Sequence, residues 1–344
     1  MTINVAVKCP DGIVLGSDSL TTITDKYGSI VTAIPYTSKL FSLGDSKKPG
    51  KDFAAAVMTN GFSSIGGTRV EDIIEEYQEI YAKRHSAEEY CMDDMSERLI
   101  NHVQRYINGS LKQEKQTSLE IIIAGFSKGK VQTITNRKKK NKPIREINNS
   151  FKNRYGEIYS YIWEDNHNFR KRILPNGDQE FFTLYGGQPM AIDRFRFGID
   201  DWVLFRMLKR KDWLYEQIRT YIYNKLKMTK DIPEILEVDP PKNISQYNIF
   251  KLFSDGRAGK TAGETIRNIK DRMKDKLQTM EGQFSLQTAI NYCSFLLSCA
   301  YSLSAFTFVT PVVGSEMRVG SITRNEGFKF RRVWEIQTPG PPFR

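Results

Sequence analysis

Residues 1–20 read MTINVAVKCPDGIVLGSDSL, and the pattern in this stretch decides the fold. Ile3, Val5 and Val7 point one way and Asn4, Ala6 and Lys8 the other, so residues 2–9 read as a half-buried strand. Pro10-Asp11-Gly12 supplies a turn, because proline presets φ and glycine tolerates a tight corner, and residues 13–16 return as a second strand. Asp18 stands at the end of this hairpin, and Thr2 directly follows the initiator methionine. A small second residue favours removal of Met1. Thr2 then carries both a hydroxyl nucleophile and a free α-amine to act as its base. An α-amine titrates near pH ~8, so a nearby cation needs to lower its pKa only modestly to keep it neutral. Lys39 fits as that cation and Asp18 as the group that orients the lysine, a nucleophile, base and orienter set without histidine.

Working outward, strands are expected at 29–34, 39–43 and 53–59. A helix over 64–83 enters through the serine- and glycine-rich NGFSSIGGTR, and a second helix covers 87–108. SLEIIIAGF and KVQTITN form a strand pair around Ser127-Lys128-Gly129. FFTLYGGQPMAI reads as a strand running into a glycine corner; a buried helix over 285–305, a strand over 306–313 and a strand pair around Asn325-Glu326-Gly327 close the chain. The chain divides into 1–135, the N-terminal part of one domain; 136–180, a basic insertion; 181–201, a core strand and glycine corner; 202–283, a mostly helical insertion; 284–336, the C-terminal part of the domain; and a tail at 337–344. Strand groups flanking paired helices predict a layered α+β domain.

Composition removes several function classes. Cys9, Cys91, Cys293 and Cys299 and the three histidines are scattered, with no CxxC or HExxH spacing, so reduced thiols, a cytoplasmic location and no metal or cofactor are expected. No secretory leader pattern opens the chain. Residues 282–315 lack charge, yet Ser294, Ser298, Ser302, Ser304, Asn291 and Pro311 suit a helix buried in protein better than one in lipid. The net charge is +11, and residues 137–154 hold eight basic side chains against Glu146 alone. That run reads as a solvated loop: it lacks the aromatic interleaving of single-strand binders, and nucleic-acid binding is not expected. SDGRAGKTAGE imitates a phosphate loop around Gly259-Lys260-Thr261, but Ser254 replaces the leading glycine that the tight turn requires.

TINVAVKCPDGIVLGSDSLTT, SKLFSL and AAAVMTNGFSS resemble the start of proteasome β-subunits and HslV-type proteases, which are N-terminal nucleophile hydrolases. The likeness runs through the two helices and LEIIIAGFSKGKVQTI, then resumes at SLQTAINYCSFLL and VGSEMRVGSITRNEGFKF. It implies a four-layer α-β-β-α sandwich of two antiparallel sheets. It assigns catalysis to Thr2, Asp18 and Lys39, pairing with an extended peptide to the Thr22 backbone, and the oxyanion hole to the N–H of Gly61 or else Asn60. It further implies a homo-oligomeric ring or arc that shelters cleavage of unfolded polypeptide, served by an unfoldase or adaptor protein. Two departures mark a divergent, bacterial-type member. Tyr185-Gly186-Gly187-Gln188 replaces the family's Gly-Ser-Gly corner, and Thr310-Pro311-Val312-Val313-Gly314 replaces its Asp-x-x-Ser-Gly. Support from the second half of the chain then falls to Gly186, Gly187, Gln188, Gly314 and Ser315, or to a neighbouring subunit. The rival readings are a non-catalytic structural or gating subunit, which in this family carries a helix ahead of the first strand, and a hydrolase of small amides.

Overall fold

The computed structural model describes residues 2–24, 30–44, 52–87, 89–110, 118–128, 130–135, 143–148, 155–163, 168–172, 174, 180–187, 190–197, 277, 279–307 and 313–336. In chain order these form β1 (Ile3–Cys9), β2 (Gly12–Asp18), β3 (Thr21–Thr24), β4 (Ile30–Ile34), β5 (Leu40–Ser42), β6 (Ala55–Gly61), β7 (Ser64–Ile65), β8 (Thr68–Arg69), α1 (Val70–Arg84) and α2 (Met92–Ser110). There follow β9 (Leu119–Gly125), β10 (Lys130–Thr135), β11 (Pro143–Asn148), β12 (Glu157–Trp163), β13 (Phe169–Arg172), β14 (Phe182–Gly187), α3 (Met190–Phe197), α4 (Leu286–Thr307), β15 (Ser315–Thr323) and β16 (Gly327–Ile336). Helices combine with antiparallel sheets, and the class is α+β.

The opening hairpin forms where the alternation places it, with β1 and β2 in register from Asn4 opposite Ser17 to Cys9 opposite Gly12. Both strands are buried along their whole length, where the alternation had suggested half-burial. The reason is their central place in a five-stranded sheet of order β14-β1-β2-β15-β16. A second five-stranded sheet has the order β13-β12-β9-β6-β5. Ala6, Ile13 and Leu15 of the first sheet share one apolar core with Ala56, Met58, Ile122 and Ala124 of the second. The opposite faces of β6 and β9, through Ala55, Val57, Leu119, Ile121 and Ile123, pack on Ile73, Tyr77, Met95, Leu99 and Val103 of α1 and α2.

On the first sheet, α4 lies against β2 at positions that lack side chains. A Cβ on Gly16 would come within 2.6 Å of Cys293 Sγ and 2.8 Å of a Leu297 methyl, so the glycine sets how closely helix and strand approach. α4 extends through Thr307, taking up the first residues of the strand expected at 306–313, and β15 starts only at Ser315. The helix expected from 64 begins at Val70. Residues 64–69 instead make the β7–β8 ribbon, turned by Gly66 and Gly67 at φ of +57° and +84°. Within the segment read as a basic insertion, β12 pairs with β9 and β13 with β12, so Glu157–Trp163 and Phe169–Arg172 build two strands of the second sheet. β14 ends with the glycine corner at Gly187, and α3 begins at Met190, a helix the sequence reading did not separate.

Two compact units divide the chain, residues 1–191 with 277–344 and residues 192–276. The first contains both five-stranded sheets; of the second, the structure describes 192–197. Most of the 202–283 segment, including the phosphate-loop imitation at Gly259-Lys260-Thr261, lies outside the described residues. No helix among the described residues is long and apolar enough to cross a membrane.

Gly16→Val should destabilise the protein by about 2 kcal/mol through overpacking against α4, measured as a lowered urea midpoint with unchanged slope. An unaltered midpoint would show that α4 is free to move away from β2.

Candidate active site

The antiparallel register that sets Asn4 opposite Ser17 carries the start of β1 and the end of β2 to the same end of the sheet, so Thr2 and Asp18 lie together there. Both are buried, with 4% and 1% of their surfaces exposed. One oxygen of Asp18, Oδ1, accepts the Ile3 N–H at 3.1 Å and the Lys39 ammonium at 2.9 Å. Its second oxygen, Oδ2, accepts the Gly314 N–H at 3.3 Å. Lys39 Nζ also donates to the Leu20 carbonyl at 2.5 Å.

The carboxylate thus joins the peptide immediately after Thr2 to the lysine and to the segment before β15. Burial lowers the Lys39 pKa from its ordinary value, and the charge and hydrogen bond of Asp18 oppose that shift without cancelling it. An ammonium held in this balance is a strong local source of positive potential, because little water screens it.

The Thr2 carbonyl is enclosed by the glycine corner. Gly187 pairs with Ile3 and has φ of +85°, and a Cβ there would fall 1.7 Å from Thr2 O. No residue with a side chain fits without moving the threonine. Gly186 pairs with Asn4. Across the gap between sheets, the Asn4 side-chain amide donates to Thr59 O at 3.0 Å, while Thr59 N–H donates to Lys39 O, also at 3.0 Å. Thr59 therefore ties the end of β6 to both the first strand and the lysine. Gly61 ends β6 at φ of +111°, exposed, where a Cβ would lie 2.1 Å from Ser118 O. Thr22 lies in β3, opposite Ala33 of β4.

The second-half residues divide. The Gly314 backbone holds Asp18, whereas the Ser315 hydroxyl accepts the Tyr36 N–H at 3.3 Å. Tyr36 and Ser315 are the two described non-glycine residues at positive φ, 61° and 62°, and they are bonded to each other. Gln188 lies outside the described residues. Reading residue types missed the main-chain partners Ile3 N–H and Leu20 O, which have no side-chain signature, and named Gly314 as support without its bond to Asp18.

All four cysteines are free, and burial pushes the Cys9 thiol up to about 11 and that of Cys293 higher still, so neither supplies a thiolate near neutrality. No group of three or more His, Cys, Asp or Glu side chains among the described residues could hold a metal ion.

No family model matches the chain, and no curated protein matches it. Among solved structures, Anbu (ancestral beta-subunit) from Yersinia bercovieri is similar, with 13% identity and a TM-score of 0.33, covering 56% of this chain and 65% of that one. A mutant of Anbu from Hyphomicrobium sp. strain MC1 is similar at 10% identity and a TM-score of 0.40, covering 97% of this chain and 86% of that one. The resemblance to proteasome β-subunits and HslV-type proteases is corrected here. The two solved structures described above carry the name Anbu, and neither a family model nor a curated protein places the chain with those proteases.

Asp18→Asn should cost about 3 kcal/mol near neutral pH, because it leaves a buried ammonium without its counter-charge. The sign of the pH dependence follows from the direction of the lysine shift. A lysine whose folded pKa lies below 10.5 binds less proton folded than unfolded, so stability rises with pH between the lowered value and 10.5. Removing Asp18 lowers the folded pKa further and widens that window. Urea titrations at pH 6 and pH 9 should show the deficit of Asp18→Asn shrinking as pH rises, and an equal deficit at both values would contradict a charged Lys39.

Proposed function

We propose that this chain is an N-terminal nucleophile hydrolase that cleaves peptide bonds in extended polypeptides through Thr2. The observation that carries the reading is the single oxygen of Asp18 shared by the Ile3 amide and the Lys39 ammonium, which sets a buried cation beside the threonine. After Met1 is removed, the Thr2 amine takes the proton of the Thr2 hydroxyl as Oγ attacks the scissile carbonyl carbon. The amine passes that proton to the departing nitrogen as the C–N bond breaks, leaving an ester on Thr2. The same amine then deprotonates a water that hydrolyses the ester and restores the hydroxyl. Lys39 keeps the amine neutral by its charge, Asp18 orients Lys39, and the Gly61 N–H serves as the oxyanion donor.

The rest of the reading follows from that chemistry. The two sheets stacked face to face, with α1 and α2 outside one and α4 outside the other, make a four-layer α-β-β-α sandwich. The Thr22 backbone, on the β3–β4 ribbon, pairs with the substrate. A protease without sequence-specific exclusion is safe in a cytoplasm only when enclosed, so the protein works as a homo-oligomeric ring or arc, fed by an unfoldase or adaptor.

Intact-mass measurement should show the mature chain beginning at Thr2, and a fully retained Met1 would leave no free threonine amine. Thr2→Ala should lower hydrolysis of an unfolded casein substrate by about a thousandfold or more while leaving the oligomer unchanged in light scattering. Undiminished hydrolysis in this variant would place the chemistry elsewhere. Lys39→Met, which keeps the stem and removes the charge, should shift the activity profile to higher pH as the Thr2 amine becomes more basic. Wild-type rates at every pH would remove Lys39 from the mechanism.

A further inference from the structure

β9 alternates cleanly. Leu119, Ile121 and Ile123 face the helices, and Ile122 and Ala124 face the first sheet. Glu120 belongs to the second set, so a carboxylate occupies an inward position on a strand whose other inward residues are apolar. It stands opposite Asn60, next to the pair formed by Gly61 and Leu119, at the end of the second sheet where Thr59 reaches Asn4 and Lys39.

Gly186 leaves room for it. A Cβ on Gly186 would lie 2.3 Å from Glu120 Oε2, and the next residue, Gly187, encloses the Thr2 carbonyl. The carboxylate therefore sits at the glycine corner that frames the candidate nucleophile.

Its charge is only partly compensated. Oε1 accepts the Ser160 hydroxyl at 3.1 Å, the Asn60 side chain donates another hydrogen bond, and the positive charge that acts on it is that of exposed Arg172. Burial outweighs these and raises its pKa. Beside it, the buried Asn4 side chain spends its N–H on Thr59 O, while Asn4 Oδ1 has no hydrogen-bond partner among the described residues. Half-buried Glu120 thus has two neutral donors and no cation in hydrogen-bond contact among the described residues, and Asn4 Oδ1, on the strand that pairs with Gly186, lacks a donor, so a group carrying both charge and N–H donors would be stabilised here.

Resting on the reading of Thr2 as nucleophile, we propose that Glu120 is a specificity-determining residue that receives the cationic side chain, lysine or arginine, of a peptide lying in the Thr2 site. A guanidinium or ammonium brings the missing charge and donors together. An apolar side chain at the same place removes water from the carboxylate without supplying a counter-charge, and an acidic one adds repulsion.

Binding to the Thr2→Ala protein tests this without depending on cleavage. Fluorescein-labelled extended peptides, identical except for a central arginine, citrulline or glutamate, are compared by anisotropy. Citrulline keeps the shape of arginine and removes its charge. The arginine peptide should bind about tenfold tighter than the citrulline peptide and tighter still than the glutamate peptide. The arginine advantage should fall to about threefold or less in Thr2→Ala/Glu120→Gln and in 0.5 M salt. Equal binding of arginine and citrulline peptides, binding of none of the three, or an arginine advantage that survives Glu120→Gln would overturn the proposal. The citrulline comparison needs no change at Glu120, so it stands if that variant misfolds. Persistent hydrolysis by Thr2→Ala alongside an arginine preference would remove the threonine mechanism and leave the charge preference in place.

Discussion

The Asp18 carboxylate is the constraint on which the candidate site depends. With 1% of its surface exposed, it is worth keeping ionised only if its lone pairs are filled, and three donors fill them: Ile3 N–H, Lys39 Nζ and Gly314 N–H. Each donor belongs to a different part of the chain, so satisfying one buried charge fixes the entry to β1, the approach to β5 and the entry to β15 at once. The position of Thr2 is a by-product of that arrangement, because its own peptide link supplies one of the donors. Gly187 then closes the remaining side, where its positive φ and missing Cβ let β14 run against the Thr2 carbonyl.

Lys39 shows how two opposing effects set a working charge. Burial alone favours the neutral amine, and Asp18 favours the ammonium; burial is the larger of the two, and the pKa falls from its usual value. A lysine paired by Asp18 at the surface would feel the attraction but be screened by water. Held inside, it projects a less screened field over the short distance to its neighbours, which is the property an amine-tuning cation requires.

Much of this was legible in residues 1–20, since strand alternation, a two-residue turn and a terminal carboxylate are short-range signals that a hairpin converts directly into proximity. Lys39 was legible as a residue type that the chemistry needs and from the likeness of SKLFSL to the proteasome β-subunit pattern. Gly314 was legible as a supporting residue, but its bond to Asp18 was not: backbone donors look alike in every residue, and this one lies 296 positions from its acceptor. Glu120 was hidden differently. LEIIIAG reads as an apolar strand, and only the pairing of β9 between β6 and β12 shows that its one acid points inward between the sheets. β12 was masked by its neighbourhood, for EIYSYIW has the aromatic and β-branched content of a strand but follows a run of lysines and arginines that suggested a solvated loop. The late start of α1 came from Gly66-Gly67, whose left-handed backbone allows a turn where helical periodicity saw only small residues.

The span between Asp18 and Gly314 also bears on the order of events as the chain is made. The hairpin can pair as soon as its residues are free, and Lys39 can join it soon after, since the separations involved are 15 and 21 residues. The third donor, Gly314, exists only once the chain has been synthesised to the residue before β15. Contacts of such long sequence separation form late, because the closure entropy of a large loop must be overcome before any gain is felt. Until then the carboxylate lacks one of its bonds and the hairpin end is open to water. An unfinished or truncated chain that lacks Gly314 therefore holds Thr2 and Asp18 in an incompletely formed setting.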